Sequence, residues 1–256
     1  ELLARNCIGS LVLIDPDVVE EKNLNRIMNT KKSDAEKGVS KVEVLKQAIE
    51  KMGMNVNVEI YKSDTYDRDP IEALVDCDII FGCVDSAAGR YHLECVSKAY
   101  FIPYFDVGVY LESDGKGGIS QANAVSRYIH PDSCSLLNRG VYTSEQVTAE
   151  RLKRDNVEYY EKQIQEGYVK GAEEDQPAVM SVNMQAACLA FNDFLARLHS
   201  FRLDDNSKFG TQTFQLVQGC YLNEEDEGDD GSIFEKYLGT GEESLLIQNL
   251  KRRKKS

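Results

Sequence analysis

The stretch SLVLIDPDVVEEKNLNR, residues 10–26, fixes how the rest of the chain is read. Ser10 to Asp15 is an apolar run ending in a carboxylate, the pattern of a buried strand. ELLARNCI at residues 1–8 reads as the last turns of a helix, with Gly9 as its stop. A helix that flows directly into an apolar strand is the second half of a β-α-β unit, so a first strand and a glycine-rich phosphate loop are expected upstream of residue 1.

Working outward, SKVEVLKQAIEKM at 40–52 places Val42, Leu45 and Ile49 at helical spacing, and VNVEI at 56–60 reads as a short strand. A helix at 70–75, the apolar strand DIIFGCV at 78–84, a helix at 88–99 and the strand IPYFDVGVY at 102–110 follow. Helices alternating with nearly continuous apolar strands predict an α/β, Rossmann-like three-layer fold with a mostly parallel sheet. GGISQANAVSRYIH at 117–130 adds an antiparallel extension of one or two strands. Residues 145–165 are helical with a thin apolar stripe, which predicts a segment lying across the surface or mobile. GYVKGAEEDQP at 167–177 is a polar linker, and residues 178–201 form the best buried helix, where Ala186, Ala187 and Ala190 permit close approach. TFQLVQGCYL at 213–222 is a late hairpin; NEEDEGDDG at 223–231 and KRRKK at 251–255 read as solvated charge runs. The expected organisation is one domain over 1–222, followed by an acidic loop and charged C-terminal extension over 223–256.

Composition bounds the function. The 256 residues carry a formal charge of −13, which opposes non-specific binding to nucleic acid but leaves a nucleotide site open. No run of eighteen apolar residues is present, so no membrane span is expected. Seven cysteines, an odd number without CxxC spacing, suit a reducing, cytoplasmic setting. Cys77, Cys83, Cys95 and Cys188 stand among apolar neighbours, where a free thiol acts as a small hydrophobe. The three histidines, 92, 130 and 199, form no compact metal pattern.

Two clusters carry the chemistry. Asp15, at a strand's carboxyl end, suits a ribose hydroxyl, although Asp15 and Asp17 serve equally as turn formers. Asn23, Asn25 and Arg26 offer donors to phosphate oxygens. Lys41 opens the next helix, where its ammonium faces an anion or simply solvent. Asp85 follows DIIFGCV and suits Mg²⁺ bridging phosphates, or caps the helix starting near Ser86.

Together, LVLIDPDVVEEKNLNR, the Gly38–Lys41 spacing and FGCVDS resemble the adenylation domain shared by ubiquitin-activating enzymes, MoeB and ThiF. PYFDVGV at 103–109 and PAVMSVNMQAACLAFNDFL at 177–195 resemble later stretches of that domain. The resemblance implies ATP-dependent adenylation of the C-terminal carboxylate of a ubiquitin-like or sulfur-carrier protein. Asp15 would bind ribose, Asn23 and Arg26 the phosphates, Lys41 the α-phosphate and Asp85 the magnesium, with Asn25 supporting the geometry. A homodimer and a downstream conjugating or sulfur-transfer protein are implied as partners. A structural zinc is not expected, because Cys134 and Cys220 stand without CxxC partners. Residues 141–176 contain no cysteine, so a thioester step would use a partner's thiol rather than Cys134 or Cys188. The competing readings are a non-catalytic subunit that keeps the adenylation fold and a Rossmann-type oxidoreductase.

Overall fold

The apolar run at the start of the chain forms β1 (Ser10–Ile14), which pairs in parallel with β2 (Asn57–Tyr61), from Ser10 opposite Asn57 to Ile14 opposite Tyr61. The crossover contains α2 (Lys32–Lys37) and α3 (Lys41–Met52). Helix α3 buries Val42, Val44 and Ile49, and Ile49 packs with Ala4, Val58 and the flanks of both strands. Both helices end at glycines in the left-handed region, Gly38 and Gly53, where a side chain would be strained. The short α1 (Leu2–Arg5) stops sooner than expected: Asn6 caps it and Cys7, not Gly9, takes the left-handed turn with φ 56°. The computed structural model describes residues 1–115, 118–165, 179–228 and 234–241. The linker expected at 167–177, the end of the acidic run at 229–231 and the basic tail at 251–255 lie outside the described residues.

The second sheet has the order β3-β4-β5-β6-β7. Its strands are β3 (Ile80–Gly82), β4 (Tyr104–Ser113), β5 (Ile119–Ile129), β6 (Thr211–Gln215) and β7 (Cys220–Glu224). Only β3 and β4 pair in parallel; the other three pairings are antiparallel, so the antiparallel extension is the larger part of this sheet. Strand β3 is shorter than the apolar run that encodes it. A Cβ on Gly82 would lie 2.6 Å from the Tyr104 ring, so only glycine lets β3 lie against β4 there.

Helices α4 (Arg68–Val75), α5 (Ala87–Tyr100), α6 (Ser144–Asp155), α7 (Val157–Gln165) and α8 (Met180–His199) complete the fold. Tyr104 and Ile129 pack with α5, whereas Val107, Val109 and Ala124 pack with α8. Odd and even positions of one strand point to opposite faces, so the sheet is sandwiched between two helical layers. Ala186 and Ala190 lie one turn apart against the sheet; Ala187, about 100° round the helix, is exposed instead. Of the four cysteines expected in apolar surroundings, only Cys95 is buried.

Residues 145–165 are neither one helix nor loose. Asn156 breaks them into α6 and α7, and polar side chains supplement the thin stripe: Arg151 lies over the Tyr91 ring and Arg154 over Tyr66. Packing also continues past residue 222. Asp226 in the acidic run is tucked in, accepting from the Cys134 and Gly228 backbone N–H groups and pairing with Arg139 at 3.2 Å. Phe234 is 1% exposed and joins Tyr237 in the main core, where Tyr91 and Tyr237 share a hydroxyl hydrogen bond of 3.1 Å.

Two outcomes test this packing. Phe234→Ala should cost about 3–5 kcal/mol in urea unfolding, and an unchanged midpoint would detach this segment from the core. Glu94 of α5 is fully buried, and burial pushes its carboxyl up to about 7 despite hydrogen bonds from Tyr142 and the Leu136 N–H. The folded state therefore holds the proton more tightly than the unfolded chain does. Its contribution is complete below the ordinary 4.5 and is lost as pH rises through about 7. Glu94→Gln should flatten that fall, on the order of 3 kcal/mol between about pH 5 and about pH 8; urea midpoints with the same pH slope in both proteins would refute the assignment.

Candidate functional site

Three of the expected residues, Asp15, Lys41 and Asp85, come together near the ends of β1 and β3. Asp15 follows β1 directly, its N–H bonded to the Tyr61 carbonyl of β2. Its Oδ1 accepts from the Asp17 N–H at 2.8 Å, so the turn-forming role is real. Asp17 in turn holds Lys41: Nζ lies 2.6 Å from Oδ2, and the Lys41 N–H donates to the Asp17 carbonyl. A bridge between Val18 and Ser40 completes this stitch, which fixes the start of α3 against the end of β1.

Asp15 carries the mark of a crowded acidic site. Burial raises its carboxyl above the ordinary range, and the nearby Asp17 and Asp85 carboxylates raise it further. The Asp17 N–H and Lys41 pull the other way. Asp15, Asp17, Lys41 and Asp85 are thus one electrostatic neighbourhood.

Asp85 has no capping role. The N-cap of α5 is Ser86, whose Oγ accepts from the Gly89 N–H at 3.0 Å. Gly89 is required there, because a Cβ would come within 2.6 Å of that oxygen. The Ala87 and Ala88 N–H groups are taken by the Glu150 carboxylate of α6, at 3.2 and 2.7 Å. With the helix end satisfied from within the chain, the Asp85 side chain is exposed and has no hydrogen-bond partner among the described residues.

Asn23 and Arg26 are placed differently from Asp85. Asn23 is buried in a 3₁₀ turn (Glu21–Asn23), and its Oδ1 accepts from the Glu20 N–H at 3.0 Å. The Arg26 guanidinium turns back to the Lys22 carbonyl at 2.6 Å and to Asn25. No contact among the described residues joins Arg26 to Asp15, Lys41 or Asp85.

Three further groups border the site and were not singled out from sequence. Besides Glu150, Arg90 Nη1 donates to the Asp85 carbonyl at 3.2 Å, and its Nε donates to buried Asp106 at 3.0 Å. The only sequence sign of Asp106 is a lone carboxylate inside the apolar PYFDVGV. Glu150 had none, since its partner lies more than sixty residues away.

The chemistry of the donors limits what they hold. Among the described residues no group of three His, Cys, Asp or Glu side chains is placed to hold a metal ion. One free carboxylate with a second nearby does suit Mg²⁺ that arrives with phosphates, since that ion keeps waters and takes only one or two protein carboxylates.

Known proteins resemble this chain in sequence and in fold. Over 96 residues the chain is 30% identical to the adenylyltransferase and sulfurtransferase UBA4 of Meyerozyma guilliermondii, covering 38% of this chain and 22% of that protein. Over 174 residues it is 25% identical to ubiquitin-like modifier-activating enzyme 5 of Drosophila willistoni, covering 61% of this chain and 39% of that protein. It therefore spans well under half the length of these relatives. Two Escherichia coli MccB structures share its fold: MccB with MccA-N7isoASN (TM-score 0.66, 18% identity) and MccB with ATP (TM-score 0.63, 18% identity). Each is matched over 91% of this chain, and over 62% and 61% of the MccB chain respectively. The ThiF family model matches residues 1–210, most of the chain, and the protein belongs to the ThiF family.

Proposed function

We propose that the chain is the nucleotide-binding core of an enzyme that uses ATP to adenylate the C-terminal carboxylate of a ubiquitin-like protein, a sulfur carrier or a related peptide. The observation that carries this reading is Asp85: an exposed, unpartnered carboxylate at a strand end, beside Asp15 and Lys41 and released from helix capping by Ser86 and Glu150. The substrate carboxylate oxygen attacks the α-phosphorus, the bond from α-phosphorus to the bridging oxygen breaks, and pyrophosphate leaves. An acyl-adenylate remains.

In this reading Asp15 accepts from the ribose hydroxyls and Lys41 stabilises charge on the α-phosphate. Asn23 and Arg26 contact the phosphates, for which Arg26 exchanges its Lys22 carbonyl contact for a phosphate oxygen. Asp85 holds Mg²⁺, which supplies charge neutralisation at the phosphates when bound. No side chain need act as nucleophile, since the substrate brings its own. Homodimerisation and hand-over to a conjugating or sulfur-transfer partner belong to the same proposal. A reducing, cytoplasmic location is supported by seven free cysteines, and no described helix is long and apolar enough to cross a membrane.

ATP–pyrophosphate exchange on the complete protein, with candidate carriers, tests the reading. Asp85→Ala should lower carrier-dependent exchange by roughly a hundredfold or more without lowering the melting temperature, because its side chain supports no packing. Exchange absent with every carrier would leave a non-catalytic subunit as the reading, and exchange unaffected by the substitution would remove Asp85 from the magnesium site. Lys41→Ala should also cut exchange, by about tenfold or more; a variant as active as the parent would remove Lys41 from the phosphate site.

A further inference from the structure

Asp106 is fully buried in β4, flanked in register by Gly82 of β3 and Arg127 of β5. It accepts from Arg90 Nε at 3.0 Å, Arg127 Nη1 at 2.8 Å and the Tyr104 hydroxyl at 3.2 Å. Two guanidiniums thus share one carboxylate, leaving a surplus of one positive charge. Both arginines are largely enclosed, with side chains 15% and 18% exposed. A largely desolvated surplus charge is costly unless an anion meets it.

The fork is also incompletely used. Arg90 Nη2 and Arg127 Nε and Nη2 donate to no described residue, yet none of these atoms is sealed from solvent. Gly108, two residues on from Asp106 along the same face, keeps space in front of them: a Cβ there would lie 3.3 Å from Arg90 Nη2 and 3.9 Å from Arg127 Nη1. The other nearby carboxylate, Asp85, meets Arg90 only through its backbone carbonyl.

We propose that Arg90 and Arg127, tethered by Asp106, receive the C-terminal carboxylate of the protein or peptide to be adenylated. The proposal rests on the adenylation reading above and adds the acceptor for the second substrate. A carboxylate is planar and presents two oxygens, the shape that guanidinium donors match in pairs. The pair adjoins Asp85 through Arg90, so a carboxylate held there sits next to the proposed phosphate site, as an in-line attack requires. The phosphates have Lys41 and the ion at Asp85. The arginines are positioning residues that set which chain end is accepted.

The test is a calorimetric titration of the full chain with a short peptide ending in Gly-Gly, as the free carboxylate and as the C-terminal amide. Wild type should prefer the carboxylate by at least about tenfold. Arg127→Gln should abolish the preference, and Arg127→Lys should restore part of it. ATP binding, titrated separately, should be the same in all three proteins. The variant should fold, since Asp106 keeps Arg90 and Tyr104 and the buried charges then balance. Equal binding of acid and amide to wild type, no binding of either, or a parallel loss of ATP affinity in Arg127→Gln would overturn the proposal. Carboxylate preference in a wild-type protein that binds no ATP would uphold the receptor and remove the adenylation reading instead.

Discussion

A helix buried on nearly every side has to find a partner for each polar side chain it carries, and α5 is such a helix. From Tyr91 to Ala99 every residue is buried, including His92, Glu94, Ser97 and Lys98. An unpaired polar group in that setting costs more than most single contacts contribute. The surrounding chain is arranged to meet those needs. His92 bonds the Thr65 carbonyl and burial lowers its ring to about 4, so it stays neutral. Ser97 takes the Ile102 carbonyl, Lys98 the Pro131 and Ser133 carbonyls, and Glu94 the Leu136 N–H and Tyr142 hydroxyl. The segment after β5 therefore has its course set by two charged residues of a helix some forty positions earlier.

The same helix sets the site. Because α5 is locked along its length, its first turn is fixed, and with it the position of Asp85 three residues beyond β3. Ser86 and Glu150 satisfy the amides at that turn, so the helix end needs nothing from Asp85. Glu150 comes from α6, which is itself held by guanidinium–ring contacts on Tyr91 and Tyr66. Packing on one side of the sheet is thereby linked to the presentation of a carboxylate at the strand ends.

How much of this was legible from sequence depended on whether the governing interaction was local. The pattern of apolar residues located β1, α3, β2, α5, β4 and α8 within a few positions, because each is defined by burial of its own period. The strand-end carboxylates Asp15 and Asp85 were legible for the same reason: they follow apolar runs that could only be strands. What failed to show was non-local. His92, Glu94 and Lys98 read as solvated polar positions until segments from elsewhere in the chain cover them. Asp226 sits in an acidic run that reads as solvated, yet Arg139 and the Cys134 N–H draw it inward. The Asp106 network joins three elements through single residues, which no periodicity records. The pairing of Lys41 with Asp17 was likewise invisible, since it spans the crossover between two strands.

The placement of charge at the strand ends follows from these long-range ties. Asp15, Asp17 and Asp85 bring three carboxylates to a neighbourhood with one ammonium, that of Lys41, which pairs with Asp17; burial above all, and the two neighbouring carboxylates after it, raise the Asp15 carboxyl. Arg90 and Arg127 share one carboxylate, an excess of one positive charge. Left free, opposite surpluses so near one another would close into salt bridges and neutralise both. The chain prevents this by geometry: Asp17, just after β1, pairs with Lys41, and Asp106, buried within β4, holds both guanidiniums. Arg90 reaches Asp85 only at its carbonyl oxygen, which leaves that carboxylate uncommitted. A chain that is acidic overall thus keeps a negative edge and a positive edge side by side, each tethered from within so that neither neutralises the other.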